Sequence, residues 1–229
     1  MIKTKQSLLF MLALLLCGTS VKSQTRAVTE LGDTIYVYNN GTWSFEIQEE
    51  APVVNEFDFL NQILDIDTIQ KPYSYPANAK KQVKSERNQF AVKYNDKIWK
   101  RIPPATLNEE AEIAFQAKHT DIWCVIITEV TPIDADKLFK IAKKMMEENT
   151  GGIAKIKKTE VRTVNENQIF YGKLETDFSG INFIFNSYYF SNEKGSVQFV
   201  TWTSSTLHEL NKDLIQDLLN GFVVLDQPS

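Results

Sequence analysis

The sequence predicts an α+β fold, a mainly antiparallel sheet flanked by helices, with a small β-hairpin near its N-terminus. Three observations lead there. Between Lys155 and Thr203, four strand-like runs are separated by short turn sequences, and connections that short join antiparallel neighbours. One amphipathic helical pattern precedes these runs and another follows them. Ahead of all this, Asn40-Gly41 stands between two short aromatic runs, the favoured chemistry of a tight hairpin turn.

The chain opens with the parts of a secretory signal. Lys3 and Lys5 precede an unbroken apolar run from Leu8 to Cys17, and Val21-Lys22-Ser23 offers a cleavage site before Gln24. The run is ten residues long, whereas a spanning helix needs roughly 20. It therefore reads as a signal core and not an anchor, and no later run is long enough to span. A lipid-modified Cys17 is the rival reading, but Leu16 stands where a small residue is wanted. The pattern resembles bacterial signals, particularly those of Bacteroidota. The expected location is periplasmic or secreted.

Removing residues 1–23 takes away Lys3, Lys5 and Lys22 and no acid, so the net charge moves from −4 to −7. A chain that acidic, without a dense basic stripe, is not built for nucleic acid or anionic membrane surfaces. Lys80, Lys81, Lys84 and Arg87 read as a solvated run. Cys124 is then the one remaining cysteine, so no internal disulfide is available. It sits in an apolar strand and reads as a small buried hydrophobe.

Four zones follow: the signal (1–23), a hairpin module (24–47), a linker or docking segment (48–88) and the main domain (89–229). In the hairpin, a two-residue loop at Asn40-Gly41 would set Tyr38 opposite Trp43 and Tyr36 opposite Phe45, placing four aromatics on one side. A lone two-stranded ribbon is marginal in water, so that side must lie on something. The next zone begins acidic and carries Phe57, Phe59, Leu60, Ile63, Leu64 and Ile66, too apolar for a free tether. A short docking helix or strand is expected there, with an extended tether after Lys71-Pro72.

In the main domain, Gln89–Tyr94 reads as a strand, and Glu112–Lys118 alternates with Ile113, Phe115 and Ala117 on one face. Ile122–Val130 has the near-continuous apolar pattern of a strand covered on both faces. A helix is expected from Thr131 as N-cap and Pro132 as first residue, with a stripe of Leu138, Ile141, Ala142 and Met145 and a glycine stop at Gly151-Gly152. Strands at Lys155–Val164, Gln168–Phe178, Ile181–Ser191 and Ser196–Thr203 follow. The last helix is expected from Thr206, with Thr206 and Glu209 as a reciprocal cap. Its stripe is Leu207, Leu210, Leu214 and Leu218, flanked by Ile215 and Leu219, and Gly221 ends it.

The phrases Phe90-Ala91-Val92-Lys93-Tyr94-Asn95 with Trp99, Arg162-Thr163-Val164-Asn165, Ser187-Tyr188-Tyr189-Phe190-Ser191-Asn192-Glu193, Val197-Gln198-Phe199 and Leu218-Leu219-Asn220-Gly221-Phe222 carry a resemblance. In this order of elements they resemble an exported bacterial domain with the Mog1/PsbP-like α/β/α sandwich, from about Gln89 to Leu225. Gly41-Thr42-Trp43 is similar to a short module of other exported Bacteroidota proteins. These are structural phrases, so the resemblance implies a fold; relatives of the sandwich act mostly in binding or assembly, which is analogy.

Catalytic chemistry finds little footing. His119 and His208 are the only histidines, and neither comes with a nucleophile-elbow sequence. No His, Cys and carboxylate cluster has zinc spacing, and Asp134-Ala135-Asp136 lacks the glycine and distal glutamate of a calcium loop. Gly151-Gly152 closes a helix where a phosphate loop would open one. Asn40-Gly41-Thr42 matches a glycosylation acceptor, which turn chemistry explains better behind a bacterial signal. No catalytic residue, metal ligand or cofactor is assigned. The candidate binding residues are Tyr36, Tyr38, Trp43 and Phe45; the crowd Phe183, Phe185, Tyr188, Tyr189 and Phe190 reads as core. The first expectation is a non-enzymatic interaction or assembly protein with a protein partner in the envelope. The alternative is a periplasmic carrier of a small apolar ligand, and an enzyme comes last.

Overall fold

A computed structural model of the chain describes residues 25–30, 32–37, 43–46, 57–68 and 72–225. They fall into two compact units, Met1–Asn55 and Glu56–Ser229. In the first, β1 (Thr25–Val28), β2 (Thr34–Val37) and β3 (Trp43–Ser44) form a three-stranded antiparallel sheet with β2 in the middle. A third strand is what a two-stranded ribbon lacks for stability, and β1 begins one residue past the expected cleavage before Gln24. The register differs from expectation: Val37 pairs with Trp43, and Tyr36 pairs with Ser44. A one-residue slip reverses the face of every side chain on a strand. Trp43 and Phe45 thus share a face with Ile35 and Val37, and Tyr36 lies on the other with Arg26. Tyr38 and the Asn40-Gly41 turn lie outside the described residues.

The second unit is built on an eight-stranded sheet. Its strands are β4 (Pro72–Tyr73), β7 (Trp99–Ile102), β8 (Ala111–Ala117), β9 (Trp123–Glu129), β10 (Lys155–Val164), β11 (Asn167–Phe178), β12 (Ile181–Asn192) and β13 (Gly195–Ser204), in the order β4-β10-β11-β12-β13-β9-β8-β7. The expected meander β10 to β13 is present and antiparallel throughout. Asn165 and Glu166, then Ser179 and Gly180, turn its first two corners with positive φ, the mirror-image turn geometry that suits twisted strands. A smaller sheet of β5 (Lys81–Lys84), β6 (Phe90–Tyr94) and β14 (Phe222–Val224), with β6 in the centre, lies in the same unit. Residues 72–84 therefore contribute strands to both sheets in place of the expected tether. The docking expectation for the apolar connector has a counterpart: a 3-10 turn at Asp58–Asn61 is followed by Leu64 and Ile66, which pack on the first helix's core cluster.

That helix, α1 (Ala135–Thr150), covers β11 and β12 on one face of the large sheet. It begins three residues later than expected. Thr131 and Pro132 do not cap it, because the Ser196 hydroxyl accepts from the Ile133 amide and donates to the Thr131 carbonyl. This holds the segment extended against β13, and Asp134 takes the N-cap position. Gly151 ends α1 at φ 65°, the left-handed stop expected of it. Phe139, outside the expected stripe, is the deepest contact: a Cβ on Gly172 of β11 would stand 2.4 Å from its ring. The aromatic ring seats directly on strand backbone, and any side chain at 172 would lift the helix away.

The second helix, α2 (Ser205–Leu219), covers the opposite face with the smaller sheet. Its N-cap is Ser204, whose hydroxyl accepts from the Leu207 amide, and Glu209 pairs with His208 in place of a reciprocal cap. Asn211 departs from helical geometry (φ −127°, ψ 18°). That kink turns the first turn relative to the rest, so Leu210 is 76% exposed while Ile215, Leu218 and Leu219 are buried. The core on this side joins Phe90, Val92 and Phe222 of the smaller sheet to Phe115, Ile126, Tyr188 and Phe199 of the larger one.

Arg162 stands in this core at 7% exposure. Its Nε donates to Glu160, its Nη1 donates to Gln216 of α2 at 2.7 Å, and its guanidinium lies 3.4 Å from the Tyr171 ring centroid and 4.8 Å from that of Tyr73. Gln216 donates to the Tyr188 hydroxyl and to Asn220, and Tyr188 donates to Asn220. Burial raises the Tyr171 and Tyr188 phenols, which keeps both as protonated donors. Removing one member of a buried ion pair costs up to about 3–5 kcal/mol when the other charge is stranded, and Lys158, which also pairs with Glu160, moves the loss here toward the lower end. Arg162→Ala is expected to lose stability in that range by denaturant unfolding, and Arg162→Met paired with Glu160→Gln to lose less than the single change. A loss below about 1 kcal/mol in the single variant would remove the network from the account of stability.

Candidate functional site

The face of the large sheet beneath α1 is only half covered. Phe139 fixes α1 over β11 and β12 with its edge reaching β13, and among the described residues the strip toward β9 and β8 is covered only by the short segment around the 3-10 turn at Pro104–Thr106. The floor there is Val125 and Ile127 of β9, Val200 and Trp202 of β13 and Phe185 of β12. Alternation decides which residues reach it. On β13, Val197 and Phe199 point into the α2 core, which leaves Gln198, Val200 and Trp202 for this side. Phe185 and Trp202 are cross-strand partners whose rings stack at 17° with centroids 6.2 Å apart.

Ile141, Met145 and Met146 of α1 form one wall and Leu107, after the 3-10 turn at Pro104–Thr106, faces them. The result is an open groove of about 410 Å³, within the range of about 300–1,000 Å³ typical of small-molecule sites. Its polar contributors are few: Ser187, Tyr189 and Gln198 on the floor, Asn108, Asn149 and Thr150 at the margin, and the carboxylates of Glu110 and Glu129. The flexible, polarisable Met145 and Met146 suit a wall that adapts to its contents.

Of the residues expected at the site, the described ones, Tyr36, Trp43 and Phe45, are not among those lining this groove. Trp43 and Phe45 meet edge to face with centroids 5.3 Å apart and are 59% and 58% exposed. Tyr36, on the other face of that small sheet, is only partly exposed, and Tyr38 lies outside the described residues. The groove residues were in view in the sequence only as core. Ile141 and Met145 sit in the expected stripe of α1, and Phe185 sits in the aromatic crowd of β12.

The titratable groups give no catalytic constellation. Among the described residues, no group of three His, Cys, Asp or Glu side chains could hold a metal ion. Cys124 is fully buried, and burial pushes its thiol well up, which keeps it protonated and inert. His119 is exposed on the turn between β8 and β9. His208 is buried on the α2 side, with Glu209 at 3.2 Å.

No known protein family and no curated protein matches this chain. Among solved structures it is similar to cyanobacterial PsbP (CyanoP) from Synechocystis, at 12% identity and a TM-score of 0.50 over 65% of this chain and 94% of that one. A crystal structure from Bacteroides thetaiotaomicron matches at 11% identity and a TM-score of 0.41, over 66% of this chain and 50% of that one. LpqN of Mycobacterium tuberculosis, described as involved in cell envelope biogenesis, matches at 10% identity and a TM-score of 0.44, over 60% of this chain and 83% of that one. The likeness to CyanoP bears out the PsbP-like α+β fold expected from the sequence. No helix among the described residues is long and apolar enough to cross a membrane.

Burial, and then the nearby Lys173, lower the His208 pKa below its ordinary value, against the pull of Glu209. A histidine depressed in the folded state binds its proton more readily when unfolded. Stability is therefore full above the unfolded value of about 6.5 and falls as pH drops from there toward the folded value. NMR titration of the His208 ring should give a midpoint below about 6.5, and His208→Gln should flatten the stability profile in that window. A midpoint at or above it would overturn the assignment.

Proposed function

We propose that this chain is a non-enzymatic binding protein of the bacterial envelope that carries a small apolar ligand in the groove beside α1. One observation supports this most: a sheet with a well-filled core on its α2 side leaves an apolar groove over β13, β9 and β8 between α1 and Leu107 on the other. An apolar surface of that kind, bordered by a few polar groups, is the usual form of a ligand site. The fold of the larger unit agrees with this reading, and so does an export signal over residues 1–23 that delivers the chain beyond the cytoplasm.

The test uses diphenylhexatriene, a hydrocarbon dye that fluoresces in apolar surroundings. The chain from Gln24 onward should bind it saturably at one site. Ile141→Glu places a charge on the groove wall without entering the core and should weaken binding by about tenfold or more, since an unpaired charge against apolar contents costs more than 1.4 kcal/mol. Unsaturable dye uptake, or equal affinity in Ile141→Glu, would end this reading.

A second reading is supported by Trp43 and Phe45, which present two exposed rings in mutual contact on the small sheet. Exposed aromatic pairs are favoured anchors for protein partners, so this unit would serve as the contact to a protein partner in the envelope. Crosslinking in intact envelopes should give a discrete adduct of a chain whose mass begins at Gln24, and Trp43→Ala should remove it. An adduct unchanged by Trp43→Ala would discard the contact.

A further inference from the structure

Gln198 lies in the floor of the groove and is 9% exposed. Its neighbours across the sheet are Tyr189 on β12 and Ile127 on β9, and around it stand Val125, Val200 and Leu138. Every other long polar side chain buried as deeply in this unit has a partner: Arg162 has Glu160 and Gln216, and Lys140 has Asp136 and the Leu60 carbonyl. The Gln198 amide makes no hydrogen bond to a described residue, while the groove reaches it. A side-chain amide carries two N–H donors and a carbonyl acceptor, and those of Gln198 are open to whatever the groove holds. The two charged groups that border the groove are both carboxylates, Glu110 and Glu129.

Resting on the reading of the groove as a ligand site, we infer that Gln198 is its specificity-determining residue and that the ligand is an apolar chain or ring system with an uncharged, hydrogen-bonding head of the amide type. A primary amide has an N–H on the same side as its carbonyl and so offers the complementary donor and acceptor, and the Gln198 amide engages it with two parallel hydrogen bonds. The body of the ligand lies along Val200, Trp202 and Phe185 toward the Met145 wall. Glu110 and Glu129 set the charge preference, because an anionic head at this depth meets two like charges and no cation. A fatty acid carboxylate is thereby disfavoured against the amide of the same tail.

Displacement of diphenylhexatriene separates this inference from the one beneath it. Decanamide should displace the dye from the unaltered chain at about tenfold lower concentration than decanoate. Gln198→Met keeps the volume and removes the amide. It should lose about tenfold in affinity for decanamide when measured against its own affinity for the dye. If the dye binds but decanoate competes as well as the amide, or Gln198→Met keeps its amide affinity, Gln198 does not read the head group and the groove remains a plain apolar site. If the dye does not bind the unaltered chain at all, the carrier reading falls and this inference falls with it. The amide and carboxylate comparison needs no variant, so it decides the matter even where Gln198→Met fails to fold.

Discussion

The buried guanidinium of Arg162 is the constraint on which the α2 side of the sheet depends. A cation at this depth is tolerated only when its charge is matched and its donors are used. Glu160 supplies the charge, Gln216 accepts from it, and the faces of Tyr171 and Tyr73 cover its flat sides. Each partner sits on a different element: β10 itself, α2, β11 and β4. The same few atoms thus set the position of a helix, two neighbouring strands and the segment leading into the domain. Asn165 extends the arrangement by donating to the carbonyls of Asn220 and Phe222, which fixes where α2 ends and β14 begins. Gly221 completes that junction, because a Cβ there would stand 2.0 Å from the Lys93 carbonyl oxygen.

The opposite face follows a different logic. Its helix is held chiefly by one ring, Phe139, pressed against strand backbone at Gly172 and bordered by Phe170 and Tyr189. That contact can exist at only one place on the sheet, where the strand carries no side chain. It pins α1 over β11 and β12, and the strands beyond are left to the short loop at Leu107. An eight-stranded sheet is wider than one helix, whose diameter is about 10–12 Å, while strands lie about 4.8 Å apart. A strip must therefore stay open unless a second element covers it. The groove is a consequence of sheet width and of where glycine falls in β11.

This difference explains what was legible in the sequence. The meander from Lys155 to Ser204 was readable because alternation and turn chemistry are local properties, recorded within a dozen residues. The same holds for Ile126 and Phe115, whose patterns announce a covered strand. What escaped depends on contacts distant in sequence. Thr131 and Pro132 have good capping chemistry, but Ser196, 65 residues away, competes for the same backbone. Leu210 fits a stripe that the Asn211 kink rotates into solvent. The pairing of Val37 with Trp43 is set by the whole three-stranded sheet, of which β1 carries no strong pattern of its own. The groove was hidden for a further reason: residues that line an apolar site and residues that fill a core share one composition, and only the missing second layer tells them apart.

Gln198 marks the point where that ambiguity breaks. A core strand gains nothing from an amide between tyrosine and isoleucine, and a methionine would fill the same space at lower cost. On the α2 face the buried polar residues have at least one partner each, as with the Tyr171 hydroxyl and the Asn186 Oδ1 or Thr201 and the Asn186 carbonyl, although the Asn186 Nδ2 has none among the described residues. Gln198 has no such arrangement although Ser187 and Tyr189 stand on the neighbouring strand. Sequences conflict with local packing rules chiefly where another requirement overrides stability. Along β13 that conflict coincides with the groove floor, between the residues under α1 and the stacked rings of Phe185 and Trp202. Buried atoms such as the Asn186 Nδ2 and the Thr176 Oγ1 also lack partners among the described residues, but the Gln198 amide stands where the groove, and a molecule bound in it, reaches it.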